Sequence, residues 1–401
     1  LLINSFFLIF LKKIKNKKKT YKRNSIFEKI IYRSAILAFV ILLFSINPIY
    51  LSNAGSDMWY YLAIVRSFVD DGYLSNISPW FNDLQSSYPS NSFFLYLTII
   101  SHLSPNSSLI DIFRIVGVYL TALSIVINVL VLNFFVKNLT YSFAIISLIF
   151  ISSYFLGDNL IFLMSNYPYY PKIFSTMIFV PVLIYIFFTR IFEKKLFKIF
   201  FTLILVTYIN QSSINLIIST FVIIVFLISE KNFHIIKMKA INLCIPLLFA
   251  TLFFYFYLSD FYFTQTGVIS NYSDNLLVNA KGKGPYYGHI IEIFKNLFIY
   301  SPIKYFSELY YHYLLLILLT LFYFKLLKNQ KIIIYFYLML LFSILIVFNP
   351  ISIFIINKIM PTFFLVRLNW IFLGYIFLGL LIGIIINNFK FKKKFYEFLL
   401  I

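Results

Sequence analysis

Three aspartates, Asp57, Asp70 and Asp71, fall within the stretch GSDMWYYLAIVRSFVDDG (residues 55–72) of a chain that has only 14 acidic side chains against 34 lysines and arginines. A carboxylate held in place can take the proton of a hydroxyl as that hydroxyl attacks. Cations nearby can hold the anion that leaves. Arg114, Lys172 and Arg367 lie at the ends of apolar runs or just inside them. Together these residue types suit a group transfer in which the leaving group carries phosphate.

The elements that must position them are set by composition. Of 401 residues, 61% are hydrophobic and 12% charged, and the mean hydropathy is +0.88. Apolar runs of seventeen or more residues recur along the chain, each long enough to cross roughly 30 Å of hydrocarbon as a helix. The expected fold class is all-α, a polytopic transmembrane bundle of about ten spans with an interfacial helix in its first outer loop. No large soluble domain fits. The formal charge of +20 comes from short basic clusters between apolar runs, the pattern of the positive-inside rule, so a nucleic-acid partner is not expected.

One cysteine, Cys244, excludes a cysteine metal site or disulfide framework. His102, His234, His289 and His312 show no ligand spacing and read as ordinary polar or interfacial histidines. No metal ligands are assigned. A divalent ion would have no motif to hold it.

Basic clusters orient the spans. Residues 1–33 form a basic cytoplasmic segment, 34–389 the membrane domain and 390–401 a basic cytoplasmic tail. The span over 34–50 then runs outward, and the first outer loop covers 51–92. RIFEKKLFK (190–198) is the next cytoplasmic anchor, which makes 172–189 run inward. Between these anchors lie apolar pieces at 93–103, 110–136 and 141–156. Parity requires one of them not to cross. The piece at 93–103 would rise only about 16 Å as a helix, so it reads as re-entrant or interfacial, with Lys137 at a cytoplasmic turn. Two helices meeting at the polar NQSSIN (210–215), a long outer loop over 259–311 and a final hairpin turning at FNP (348–350) complete the bundle. This topology gathers Asp57, Asp70, Asp71, Asp83, Arg114, Asp158, Lys172, Asp260 and Arg367 at the outer face. Cations at outer span ends oppose the positive-inside bias, and a bound anion would account for them.

Within the first loop, Tyr60, Tyr61, Ile64, Val65 and Phe68 repeat as one face of a helix that starts at Ser56 or Asp57. That helix is expected in the membrane interface, with Trp59 and the tyrosines at headgroup depth. Two roles fit Asp57: a favourable charge at the helix N-terminus, or the base that activates an acceptor hydroxyl. Asp70 and Asp71 precede Gly72, and Arg66 stands four residues before Asp70. A local ion pair and a part in acceptor or metal binding both fit them. Lys172 follows YPYYP, where prolines stiffen the approach; snorkelling and phosphate binding both suit it. Arg367 is about one turn inside an apolar run, a costlier place that favours a bound anion. KGKG (281–284) reads as a solvated loop. No Gly-rich nucleotide loop is present, so a nucleotide-sugar donor has no visible site.

SDMWYYLAIVRSFVDDG resembles the first-loop signature of the GT-C glycosyltransferases: an acidic residue after the first span, then a Tyr, an Ala-x-x-Arg and a Gly. The following segment, YPSNSFFLYLTIISHLSPNSSLIDIFRIVGVYL, is similar to that superfamily's next one, with its Tyr-Pro start, short apolar helix, brief turn and Arg leading a long helix. The resemblance covers residues 30–190. NYPYYPKIFSTMIFVPVL and NPISIFIINKIMPTFFLVRLNWIFLGYI resemble later segments of uncharacterised bacterial members.

The resemblance implies a GT-C-like bundle in the cell membrane with its active site on the extracytoplasmic face. Asp57 falls on the catalytic carboxylate, and Asp158 on a second acidic position of some members. Lys172, Arg367 and Arg114 would take the donor phosphate. The partners implied are a lipid-linked sugar donor, an envelope glycan, lipid or protein acceptor, and membrane lipids. Met58 stands where many members carry a second acid, so no metal-bridging carboxylate pair is expected. The chain lacks the soluble C-terminal domain of oligosaccharyltransferases, which argues against protein N-glycosylation. A transporter or flippase of polyprenyl-linked glycans, or an envelope polysaccharide polymerase or ligase, are the competing readings. A transporter would show ionisable residues at mid-membrane and paired broken helices, whereas here charge gathers at one face.

Overall fold

The computed structural model of the chain describes residues 56–72, 92–156, 276–281, 288–306, 317–321, 331–359 and 374–388, together with positions 33, 178, 180–182, 184, 185, 224, 248 and 252. These residues are mostly helical. In chain order they form α1 (Ser56–Asp71), α2 (Ser92–Leu103), α3 (Leu109–Val136), α4 (Leu139–Leu156), α5 (Leu276–Ala280), β1 (Ile290–Phe294), β2 (Leu297–Tyr300), α6 (Lys331–Val347), α7 (Pro350–Ile359) and α8 (Gly374–Asn388).

The helix α1 buries Tyr61, Ile64 and Val65 of the stripe that its spacing predicts, with Leu62 beside them, and half-buries Phe68. It ends at Gly72, whose φ of 73° lies in the left-handed region and whose N–H donates to the Phe68 carbonyl at 3.1 Å. Glycine enters that region without a Cβ penalty. The buried stripe meets protein: α1 packs on α2, and the Tyr61 and Phe94 rings lie 5.2 Å apart. The expected interfacial seat therefore applies at most to the exposed face, which carries Arg66, Asp70 and Asp71.

Two short turns hold the next three helices. Ser108 opens α3 as its N-cap: its hydroxyl accepts from the Asp111 N–H at 3.2 Å and donates to the Asp111 carboxylate at 2.6 Å. The 28 residues of α3 rise about 42 Å, more than the hydrocarbon core requires. The helix stops at Lys137, which adopts φ 59° and donates its N–H to the Asn133 carbonyl. Asn138 restarts the chain at once, its side-chain oxygen accepting from the Tyr141 N–H at 3.1 Å. So α3 and α4 form a tight helical hairpin.

The third partner of this pair is α8, which packs on both α3 and α4. Its Gly379-x-x-x-Gly383 spacing permits close backbone approach. A Cβ at Gly379 would meet Leu132, Ile145 and Ile149 at 3.4–3.5 Å, whereas one at Gly383 would overlap the Val136 side chain. Ser124, Asn128, Ser142 and Ser147 are buried along α3 and α4, and the Asn128 amide donates to the Ser124 carbonyl at 2.8 Å.

Among the described residues, α3 alone is long and apolar enough to cross a membrane, and α6 with α7 joins it only if that bent pair is one span. Shorter apolar helices lie at Phe94–Leu103, Leu139–Phe150 and Ile376–Ile385. This supports membrane association. The expected span over 34–50 and the NQSSIN elbow fall outside the described residues, as do most of the expected spans over 240–258 and over 172–189, whose described positions 178, 180–182, 184 and 185 are helical.

Two local features differ from expectation. The loop at 259–311 contains an antiparallel hairpin, β1–β2, paired Ile290 with Tyr300, Ile291 with Ile299 and Glu292 with Phe298, then irregular at Phe294 with Leu297. The all-α expectation missed it. Ile and Phe density on both sides of Lys295–Asn296 is the signal, and Asn296 takes the left-handed turn position at φ 63°. Second, the chain does not double straight back at FNP. Asn349 caps a new helix through its side-chain oxygen, which accepts from the Ile351 N–H at 2.9 Å, and Pro350 suits a first helical position. The helix α7 therefore starts at once and leaves α6 at 79°.

Candidate functional site

The site expected from sequence is built on α1, α2 and α3, which pack on one another. Asp57 is the second residue of α1. There the unpaired N–H groups and the helix dipole favour a negative charge. One turn further on, Tyr61 anchors this end of the helix against α2. Arg114 is the sixth residue of α3. The fold thus places the Asp57 and Arg114 positions on two members of one three-helix unit.

Other candidates separate. Asp70 and Asp71 lie thirteen and fourteen residues after Asp57 on the same helix, about 20 Å along its axis. That distance prevents either from sharing a metal or an acceptor hydroxyl with Asp57. Asp70 instead accepts from Arg66 Nε at 2.6 Å, with the two side chains 48% and 67% exposed. A pair so exposed contributes a few tenths of a kcal/mol. Asp71 is exposed at the helix end. Asp158, Lys172 and Arg367 lie outside the described residues. Among the described residues no group of three or more His, Cys, Asp or Glu is placed to hold a metal ion.

Sequence reasoning passed over a polar cluster at the base of the β-hairpin. His289 Nδ1 and the Tyr300 hydroxyl are 3.2 Å apart, and Tyr300 is fully buried. The Tyr300 and Tyr305 rings meet edge to face at 5.9 Å. The buried Tyr305 hydroxyl reaches Ser343 Oγ at 2.9 Å, which ties the loop to α6. Partial burial lowers the His289 pKa from its ordinary 6.5, and the Lys304 charge lowers it further. No ligand spacing marks this cluster; only the density of Tyr around His289 could have pointed to it.

A pH dependence follows, with its sign fixed by that depression. The folded hairpin disfavours the imidazolium, so the unfolded chain binds the proton more readily. The His289 contribution is present above about 6.5, the unfolded value, and is lost as pH falls through the lowered folded value. Amide hydrogen exchange across 290–300, corrected for intrinsic rate, should show protection falling on acidification. A His289→Gln variant should lose most of that dependence.

The chain matches no protein-family model, no curated protein and no solved structure.

Proposed function

We propose that this chain is a membrane glycosyltransferase of the GT-C type, moving a sugar from a polyprenyl phosphate or diphosphate to an envelope glycan, lipid or protein on the extracytoplasmic face. The observation that carries the reading is the order of elements around Asp57. A helix begins one residue before it and ends at Gly72; a short apolar helix follows, then a serine-rich turn, then a long helix with Arg114 near its start. This is the order of the resembling first-loop signature and the segment after it.

In the proposed reaction the Asp57 carboxylate accepts the proton of an acceptor hydroxyl. The acceptor oxygen bonds to the anomeric carbon while the bond from that carbon to the donor phosphate oxygen breaks. The lipid phosphate leaves with the electron pair and the negative charge. Arg114, Lys172 and Arg367 are the cations assigned to that charge. The place of Asp57 in the first turn of α1 is one where a helix favours negative charge. Lipid-linked donor fits a chain this apolar, since its prenyl tail can rest between helices.

The test uses membranes from cells that express the chain and from cells that do not. Each is given a panel of radiolabelled polyprenyl-phosphate sugars and envelope acceptors. Chain-dependent transfer to an acceptor is the expected result. Movement of intact lipid-linked glycan across the bilayer, without release of sugar, would instead support the transporter reading.

A further inference from the structure

The C-terminal end of α6 leads into a set of apolar side chains that are exposed among the described residues. Leu341 and Leu345 are exposed on α6, one helical turn apart. Past the bend at Phe348–Asn349 the exposed set resumes on α7 with Ile351, Phe354 and Ile355, at 66%, 57% and 50% exposure. These three positions follow the i, i+3, i+4 spacing of one helix face. The opposite position, Ile353, is fully buried, and α7 packs on β2. The hairpin tip carries Phe294, 71% exposed, next to exposed Lys295, and Lys304 is exposed on the turn that follows β2.

Orientation comes from the bend. Taken as a span by itself, with α7 outside it, the 17 residues of α6 rise about 26 Å, a few ångströms less than the hydrocarbon thickness. On the proposed topology the basic KLLKNQK (325–331) at its start is cytoplasmic, which assigns its far end to the outer interface. With α6 along the membrane normal, a helix leaving it at 79° would run nearly along the membrane plane. Its exposed apolar face follows the exposed Leu341 and Leu345 of α6 along the chain, and Lys304 directly precedes Tyr305, whose ring meets Phe348 at the bend at 5.4 Å. An apolar face flanked by lysines at that depth fits a bilayer boundary. A water-facing loop would not keep it.

We propose that α7 and the β1–β2 hairpin form a platform seated in the headgroup layer of the outer leaflet. Ile351, Phe354 and Ile355 enter the acyl boundary, Phe294 enters beside them, and Lys295 and Lys304 meet anionic lipid phosphates. The inference is independent of sugar transfer and stands or falls by itself.

The test uses the full chain carrying Cys244→Ser and one introduced cysteine, either Phe354→Cys or Phe294→Cys, labelled with a polarity-sensitive fluorophore. The protein is placed in nanodiscs of phosphatidylcholine and phosphatidylglycerol. Ser107→Cys, an exposed position on the turn between α2 and α3, serves as the reference. At both platform positions the expected emission is blue-shifted. It should be quenched several-fold more by lipid spin-labelled near the headgroup than by lipid labelled at the chain end. Water-like emission with no lipid quenching at both positions would overturn the platform. So would a blue shift that lipid labels do not quench and that fades on dilution, since it would mark a second copy of the chain on this surface.

Discussion

Gly383→Ala is expected to destabilise the protein by about 1–3 kcal/mol, the usual cost of forcing a methyl group into a packed seam. The added Cβ would overlap Val136, which is 1% exposed and is the last residue of α3. Val136 has no room to retreat: its side chain is β-branched, and the next residue is fixed in the left-handed conformation that ends α3. Gly379→Ala is the internal control. Its Cβ would meet Leu132, Ile145 and Ile149 at ordinary contact distance, and both variants gain the same helix propensity of roughly 1 kcal/mol over glycine. The difference between them therefore isolates the clash. Thermal unfolding in detergent should place Gly379→Ala at or above the parent and Gly383→Ala well below it. Adding Val136→Ala to Gly383→Ala should recover part of the loss, because the two sites share one contact. Equal stability of the two single variants would mean that α8 does not sit on α3 at this depth.

Asp57→Asn is expected to lower sugar transfer by about 10²–10⁴-fold, the range for removal of a positioned general base. That corresponds to roughly 3–5 kcal/mol of transition-state stabilisation. Asn keeps the size of Asp and cannot take a proton. Its cost to the fold is the lost charge at the helix N-terminus, roughly 0.3–1 kcal/mol, so the protein level should hold. A helix-capping role alone would give the opposite pattern: slightly reduced stability with transfer intact. The comparison thus separates the two roles that Asp57 can have at the start of α1.

The helices α2, α3 and α4 were legible in the sequence to within two residues, because their ends are written locally. Pro105, Asn106, Ser107 and Ser108 separate the first two, and Lys137 with Asn138 separates the last two. The stripe on α1 was legible at Tyr61, Ile64 and Val65. Its partner was not: periodicity says which face is apolar and is silent on whether lipid or α2 covers it. The hairpin escaped because a strand pair depends on a partner chosen through the fold, and its Lys295–Asn296 turn is a weak local signal. The bend at FNP was read as a turn, yet proline begins a helix as readily as it ends one. The Gly379–Gly383 spacing was visible, but its meaning required knowing that Val136 lies opposite. For the site, the place of Asp57 at a helix start follows from Ser56 and the stripe after it. The separation of Asp70 and Asp71 follows from helix rise once α1 is continuous. Asp158, Lys172 and Arg367 depend on long-range assembly that local pattern does not encode.

The central claim is that Asp57 is the base of a lipid-linked sugar transfer. Its most direct test is the rate at which radiolabelled sugar leaves polyprenyl phosphate in membranes that carry the parent chain or Asp57→Asn at matched protein level, with envelope acceptors present. The account predicts release by the parent and a loss of at least about a hundredfold in the variant. Equal release by both would contradict it, leaving Asp57 as a helix-terminal charge and the base to be found elsewhere.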